Sequence, residues 1–198
     1  MPVTPDPGFS VPPESAELDY LMPLHFFLGA MFPLDVTFIP GEEMPDPERH
    51  LLVHASDMTP RLQDYHGTQL DLTVHTKKQS TDYLMRAVVL VRRDNGKPVE
   101  FGAIGIRLGA FSPEAREEVI EGKVPLGAIL QNHGIPHSSN PRAYFRIQID
   151  DRLTDVLHAE SGGEHYGRCN ELRDPDGLVF ADIVEILPKT SSTEKASS

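Results

Sequence analysis

The sequence predicts an α+β fold, with a single mostly antiparallel β-sheet flanked by helices, and three observations carry that prediction. Apolar stretches with strand-like alternation come in clusters, helix-like stretches lie between the clusters, and strong hairpin signals occur at both ends of the strand-rich region. The first signal is Asn95-Gly96 within "DNGK", and the second is "DPDG" from Asp174 to Gly177.

Taken in order, residues 1–15 are rich in proline and residues 189–198 are small and polar, so both ends are expected to be mobile and residues 16–188 to form one domain. The most apolar window, Tyr20 to Ile39, has the length of a membrane span. It holds His25 and Asp35 and is interrupted by Pro23 and Pro33, and therefore reads as core segments. "PDPERHLLVHA" predicts a helix beginning near Pro47, and "DMTPRLQDYHG" another, capped by Asp57 or Thr59 and stopped by Gly67. "TQLDLTVHT" alternates Leu70, Leu72 and Val74 against polar residues, as a half-buried strand does. "DYLMRAVVLVRR" and "VEFGAIGIRL" form the first hairpin, and a two-residue Asn95-Gly96 turn would set Arg86 opposite Gly105. "SPEAREEVIEG" has Ser112 as N-cap, Pro113 in the first turn and Gly122 as stop, and "PLGAILQNHG" is a short helix ending at Gly134. "RAYFRIQID" returns to strand and "RLTDVLHA" to helix, and "EHYGRCNEL" with "LVFADIVEILP" closes the domain as a second hairpin. The helices are expected over one face of the sheet.

A chain of 198 residues suits one core, and its net charge of -12 argues against nucleic acid or an anionic membrane surface as partner. Any anionic ligand must be met by a few local arginines. The single cysteine, Cys169, rules out an internal disulfide framework. The start "MPVTPDPGFSVPP" lacks the basic residues and apolar run of a signal peptide, so the expected location is cytoplasmic.

Among candidate functional residues, Glu185 in "IVEILP" is a carboxylate within an apolar strand, on the side of Ile183 and Leu187. Arg86 shares its strand face with Leu84, Val88 and Leu90, so its guanidinium needs a partner, either a structural carboxylate or a bound anion. With "DPDG" as a four-residue loop, Tyr166 would face Glu185 and Arg168 would be its diagonal neighbour, whereas a shorter loop would put Arg168 directly opposite; in either register a structural Glu185–Arg168 pair is the alternative to a ligand-facing Glu185. His50 and His54 have helical spacing, but "HLLVH" lacks a metalloprotease glutamate and a third ligand, so no metal is expected. Cys169 reads as a packed thiol. No nucleophile elbow, P-loop or dinucleotide fingerprint is present, which points to chemistry without a cofactor.

A series of stretches resembles chorismate pyruvate-lyase and the chorismate-lyase-like proteins: "DMT" from Asp57, "YLMRAVVLV" around Arg86, "NGKPVEFGA", "VPLGAIL" from Val124, "HYGRCNEL" from His165 and "VEILP" from Val184. The resemblance implies a chorismate-lyase-like fold with a ligand pocket under flaps. It also implies that Arg86 and backbone groups at Leu126 and Gly127 hold an aromatic carboxylate, and that the hydroxyl end lies near Glu185 and Met58, with Thr59 beside it. Arg86 and Glu185 would then be catalytic, Arg107 or Arg168 would meet the second carboxylate of chorismate, and the products would be a hydroxybenzoate and pyruvate. The sequence departs from that pattern at Ala103, where the lyases carry a second arginine. The alternative function is a non-catalytic binding protein or sensor for a small aromatic carboxylate.

Overall fold

The computed structural model describes residues 20–29, 35–159 and 163–189, so the expected tails lie outside the described residues except for Lys189. In the apolar opening, helix α1 (Met22–Leu28) has Pro23 in its first turn and strand β1 (Asp35–Ile39) comes after it, while the expected break at Pro33 lies outside the described residues. Two short helices come next, α2 (Glu48–Leu52) and α3 (Met58–His66), with Asp57 at the N-cap of α3 and Gly67 in the left-handed conformation at its end. Strands β2 (Leu70–Gln79), β3 (Tyr83–Arg92) and β4 (Pro98–Arg107) lead to α4 (Pro113–Glu121) and α5 (Leu126–Asn132). Strand β5 (Ser138–Gln148), helix α6 (Asp151–Leu157) and the hairpin of β6 (Glu164–Arg173) and β7 (Val179–Leu187) complete the chain. The Ser112 hydroxyl caps α4 by accepting from the Ala115 N–H at 3.3 Å.

The strands form one seven-stranded sheet in the order β1-β5-β6-β7-β4-β3-β2, and every neighbouring pair is antiparallel. The expectation of helices over one face is corrected: both faces are covered, because the central strands β3, β4 and β7 are apolar on both sides. On one face Ala87, Val89, Phe101, Ala103, Val184 and Ile186 pack with Leu24 and Leu28 of α1 and Leu153 and Leu157 of α6. The other face carries two separate clusters. Leu84, Val88, Ile104 and Ile183 pack with α4 and α5, whereas Leu70, Leu90, Val99 and Leu187 pack with α2 and α3. Among the described residues no helix is long and apolar enough to cross a membrane.

The first hairpin differs from the expected register, and the second takes the alternative one. In the first, Arg92 donates to the Lys97 carbonyl at 2.9 Å and Gly96 to the Arg92 carbonyl at 2.8 Å, so the loop is longer than two residues. A bulge between Leu90 and Val91 offsets part of this shift and leaves Arg86 opposite Ile104, with Gly105 opposite Met85. In the second, Leu178 stays in the turn, donating to Asp174 Oδ1 at 2.9 Å, and an irregularity between Leu172 and Arg173 shifts the strands. Arg168 therefore faces Glu185, the second of the two registers the sequence allows, and Tyr166 faces Leu187.

Candidate functional site

The two clusters on the second face leave a seam, and there the central strands place polar side chains where apolar ones would pack. A cavity of about 50 Å³ lies in that seam, lined by Arg86, Glu100, Asn170 and Glu185 from the sheet and by Asp57, Met58, Thr59, Leu126 and Gly127 from the helices above. The structure therefore brings together most of the residues the sequence singles out, namely Arg86, Glu185, Met58, Thr59, Leu126 and Gly127.

Arg86 is 2% exposed, and its surroundings supply no counter-charge. Its Nη1 donates to the Val119 carbonyl at 3.2 Å, while Nε and Nη2 are buried without a partner among the described residues. Burial is the cause that pulls this guanidinium down to about 10. A buried charge left this way is unfavourable to the fold and is most simply explained by a ligand that completes it.

Arg168 is the contrasting case. Fully buried, it donates through Nε to Glu185 Oε2, through Nη1 to the carbonyls of Leu52 (3.3 Å) and His54 (2.9 Å), and through Nη2 to the Ser56 carbonyl (3.3 Å). These contacts tie the segment between α2 and α3 to the sheet and leave the guanidinium committed. The expectation that Arg168 meets a ligand is corrected, since it lies outside the cavity lining and its donors are used. His54 sits against it: the Ser56 N–H donates to Nδ1 at 3.2 Å, and Nε2 donates to the Leu51 carbonyl at 2.7 Å. Burial and then the Arg168 charge lower His54 to about 4, so the ring is neutral near pH 7. Glu185 thus has two contacts to explain it, the pair with Arg168 and the cavity that it lines.

The residue that sequence reasoning missed is Glu100. It is 5% exposed and lines the cavity, and its Oε2 is buried without a partner among the described residues. Burial, followed by the charge of Glu185, pushes its carboxyl well above the usual carboxylate range, with Arg168 opposing. The signal was available: "VEFGAIGI" places Glu100 on the face of Ile104 and Ile106, as "IVEILP" places Glu185. Gly102 stands opposite both Val88 and Glu185, and a Cβ there would lie 3.3 Å from Val88 Cγ2 and 3.6 Å from Glu100 Oε1. Its missing side chain keeps open the floor between the two carboxyls.

Beside the cavity-lining Asp57, His137 Nε2 lies 3.2 and 3.1 Å from the two carboxylate oxygens, and its Nδ1 is 3.0 Å from the Ile135 carbonyl. This contact joins the α2–α3 side of the seam to the loop after α5. Other expected residues lie elsewhere. Arg107 is exposed and donates to the Val179 carbonyl at 3.2 Å; it and Ala103 belong to the opposite face of the sheet, so neither reaches the cavity. Cys169 is buried on that same opposite face, where burial and then the Glu185 charge push its thiol up. His50 is exposed, and the described residues contain no group of three or more side chains able to hold a metal ion.

No protein-family model matches this sequence, and no curated protein matches it. Solved structures share its fold. PhnF from Mycobacterium smegmatis aligns with a TM-score of 0.53 at 14% identity, over 69% of this chain and 65% of that one, so this chain spans about two-thirds of that neighbour's length. The effector domain of PhnF aligns with a TM-score of 0.52 at 14% identity, over 67% of this chain and 88% of the domain. A transcriptional regulator of the GntR family from Bacillus cereus gives 0.46 at 14% identity, over 65% and 99%. The architecture is the chorismate-lyase-like α+β fold in the form found in such effector domains.

These neighbours overturn the expectation of a chorismate lyase yielding a hydroxybenzoate and pyruvate, because the structures that share the fold with a TM-score above 0.5 are PhnF and its effector domain, and not a lyase. The cavity agrees. Chorismate carries two carboxylates, and Arg86 is the one guanidinium among the lining residues.

Proposed function

We propose that this chain is a non-catalytic binding domain for a small organic carboxylate, of aromatic type, seated between Arg86 and the two glutamates. One observation carries the reading: a guanidinium that is buried, unpaired by any carboxylate and open to a cavity. The ligand carboxylate would take the free Nε and Nη2 donors side by side, the geometry in which arginine binds carboxylates most strongly. Leu72, Val88, Leu90 and Ile104 supply apolar walls for a flat body. At about 50 Å³ the cavity is smaller than such a ligand, so binding must part the helices that roof it. The fold it shares with the PhnF effector domain supports a sensing role, in which occupancy of the seam is what gets reported.

Calorimetric titration with a panel of aromatic monocarboxylates tests this. Binding of at least one, lost in Arg86→Ala with the fold retained, is the expected result. Binding that survives Arg86→Ala, or no binding by any member, overturns the reading, and turnover of a bound carboxylate overturns its non-catalytic part.

A further inference from the structure

We infer that Glu100 is the residue by which this site selects its ligand, its carboxyl reading an uncharged hydrogen-bonding group at the end of the ligand remote from Arg86. The inference rests on the carboxylate-binding reading above and adds to it which carboxylates fit. Arg86 stands opposite Ile104, and Glu100 lies four residues back along the same strand, about 13 Å away at ~3.3 Å per residue. Glu185 stands between them, opposite Gly102. The cavity therefore has a cationic end and an acidic end on one strand face.

The groups near the acidic end decide what it accepts. Glu185 from β7 and Arg168 from β6 are the charges that act on Glu100, while Arg86 from β3 and Asp57 at the start of α3 line the same cavity. Arg168 is committed to Glu185 and to backbone carbonyls, and Arg86 is a strand's reach away. Glu100 thus has no cation of its own, and burial beside the Glu185 charge favours its neutral acid. A neutral carboxyl both donates and accepts, so its unpartnered Oε2 is matched by a hydroxyl or amide of the ligand. A second anion there would face Glu185 with no free cation to offset it. Such a site prefers monoanions with a neutral polar tail and rejects dianions, because buried polar groups left unmatched discriminate strongly.

The test titrates the full chain with benzoate, 4-hydroxybenzoate and terephthalate. The 4-hydroxy acid should bind at least about tenfold tighter than benzoate, and terephthalate more weakly than benzoate. Glu100→Ala should abolish the preference for the 4-hydroxy acid over benzoate, whereas Glu100→Gln, which mimics the neutral acid, should keep most of it. Raising the pH until Glu100 ionises should weaken 4-hydroxybenzoate binding in the wild type more than in Glu100→Gln. Equal affinities for benzoate and 4-hydroxybenzoate, or Glu100→Gln behaving as Glu100→Ala, overturn the inference. If binding then still depends on Arg86, the carboxylate reading stands without it; if none of the three probes binds, both fall. Melting curves on each variant separate lost binding from lost folding.

Discussion

Arg86→Met separates a side chain kept for a ligand from one kept for the fold. Burial lowers the Arg86 guanidinium from 12.5 to about 10, and at about 1.4 kcal/mol for each tenfold change this is a penalty of roughly 3 kcal/mol on the folded, charged state near pH 7. Methionine fills a similar volume, removes that penalty and gives up the 3.2 Å hydrogen bond to the Val119 carbonyl, a loss of about 1 kcal/mol. The variant should therefore be more stable by about 2 kcal/mol, which for a chain of this size raises Tm by roughly 4–8 °C. The same variant should no longer gain stability from an aromatic monocarboxylate, whereas the wild type should, as any ligand specific to the native state produces. Melting curves with and without ligand read both effects. A Tm several degrees below wild type would refute the reasoning, since Arg86 would then be holding α4 through Val119 and its charge would be satisfied without a ligand.

The other predictions concern the surroundings of that cation. Glu185→Gln leaves the fully buried Arg168 without its carboxylate and should cost about 3 kcal/mol, read as a lower midpoint in denaturant; an unchanged midpoint would mean that the Leu52, His54 and Ser56 carbonyls satisfy Arg168 unaided. Gly167→Ala should cost at least about 3 kcal/mol, because a Cβ there would lie 2.4 Å from Phe145 Cζ and 2.5 Å from the backbone oxygen of Glu185, and a well-folded variant would show that β6 and β7 can separate. His137→Ala should speed both association and dissociation of a bound carboxylate in stopped-flow traces, since it removes the contact with Asp57 beside the cavity; unchanged rates would place the entry route elsewhere. Glu100 keeps its proton in the folded state at pH values where the unfolded chain, near 4.5, has lost it. The stability it contributes is thus present below about pH 4.5 and is lost as pH rises toward its folded value. Glu100→Gln should flatten that part of the stability profile, and an identical slope in the variant would show that Glu100 is ionised in the native state.

Much of the architecture was legible because local signals agreed with one another. Gly67 and Gly122 end their helices where the sequence places the stops, Ser112 caps α4, and Asn95-Gly96 lies in the turn of its hairpin. Register was less legible, because neither loop length nor a bulge leaves a mark in hydrophobic alternation: the longer first loop, partly offset by the bulge at Leu90/Val91, moved the partner of Arg86 from Gly105 to Ile104, and the second loop together with the irregularity at Leu172/Arg173 brought Arg168 opposite Glu185. That shift decided a role, since an arginine directly across from a buried carboxylate is taken up by it. Arg107 misled for a different reason. Its distance along the chain suited a second anchor, but strand parity with Ala103 puts it on the other face of the sheet. Glu100 was overlooked because it stands near the start of its strand, just after Lys97 and Pro98, where a carboxylate looks solvated. Only the packing of α2 and α3 over that end buries it.

Why the site lies in this seam follows from how the second face is covered. A sheet wide enough for seven strands cannot be roofed on that side by one short helix pair, and α2–α3 and α4–α5 each close over their own cluster. Where the two roofs meet, side chains of β3, β4 and β7 have apolar walls on both sides and little directly above them, so a polar group placed there is desolvated without being fully packed. Arg86, Glu100 and Glu185 stand on those strands facing that seam, and only Glu185 has a charged partner in Arg168. If the seam had been selected for stability alone, apolar side chains at Arg86 and Glu100 would fill it at lower free energy. The buried, unpartnered polar atoms of Arg86 and Glu100 therefore argue for an occupant, and the same geometry says how occupancy would be felt elsewhere. A molecule bridging Arg86 and Glu100 must lift the two roofs apart, and the Asp57–His137 contact is the polar link between their side chains beside the cavity. On the proposed reading, ligand binding and the relative position of the two helix pairs would thus be linked through this one small cavity.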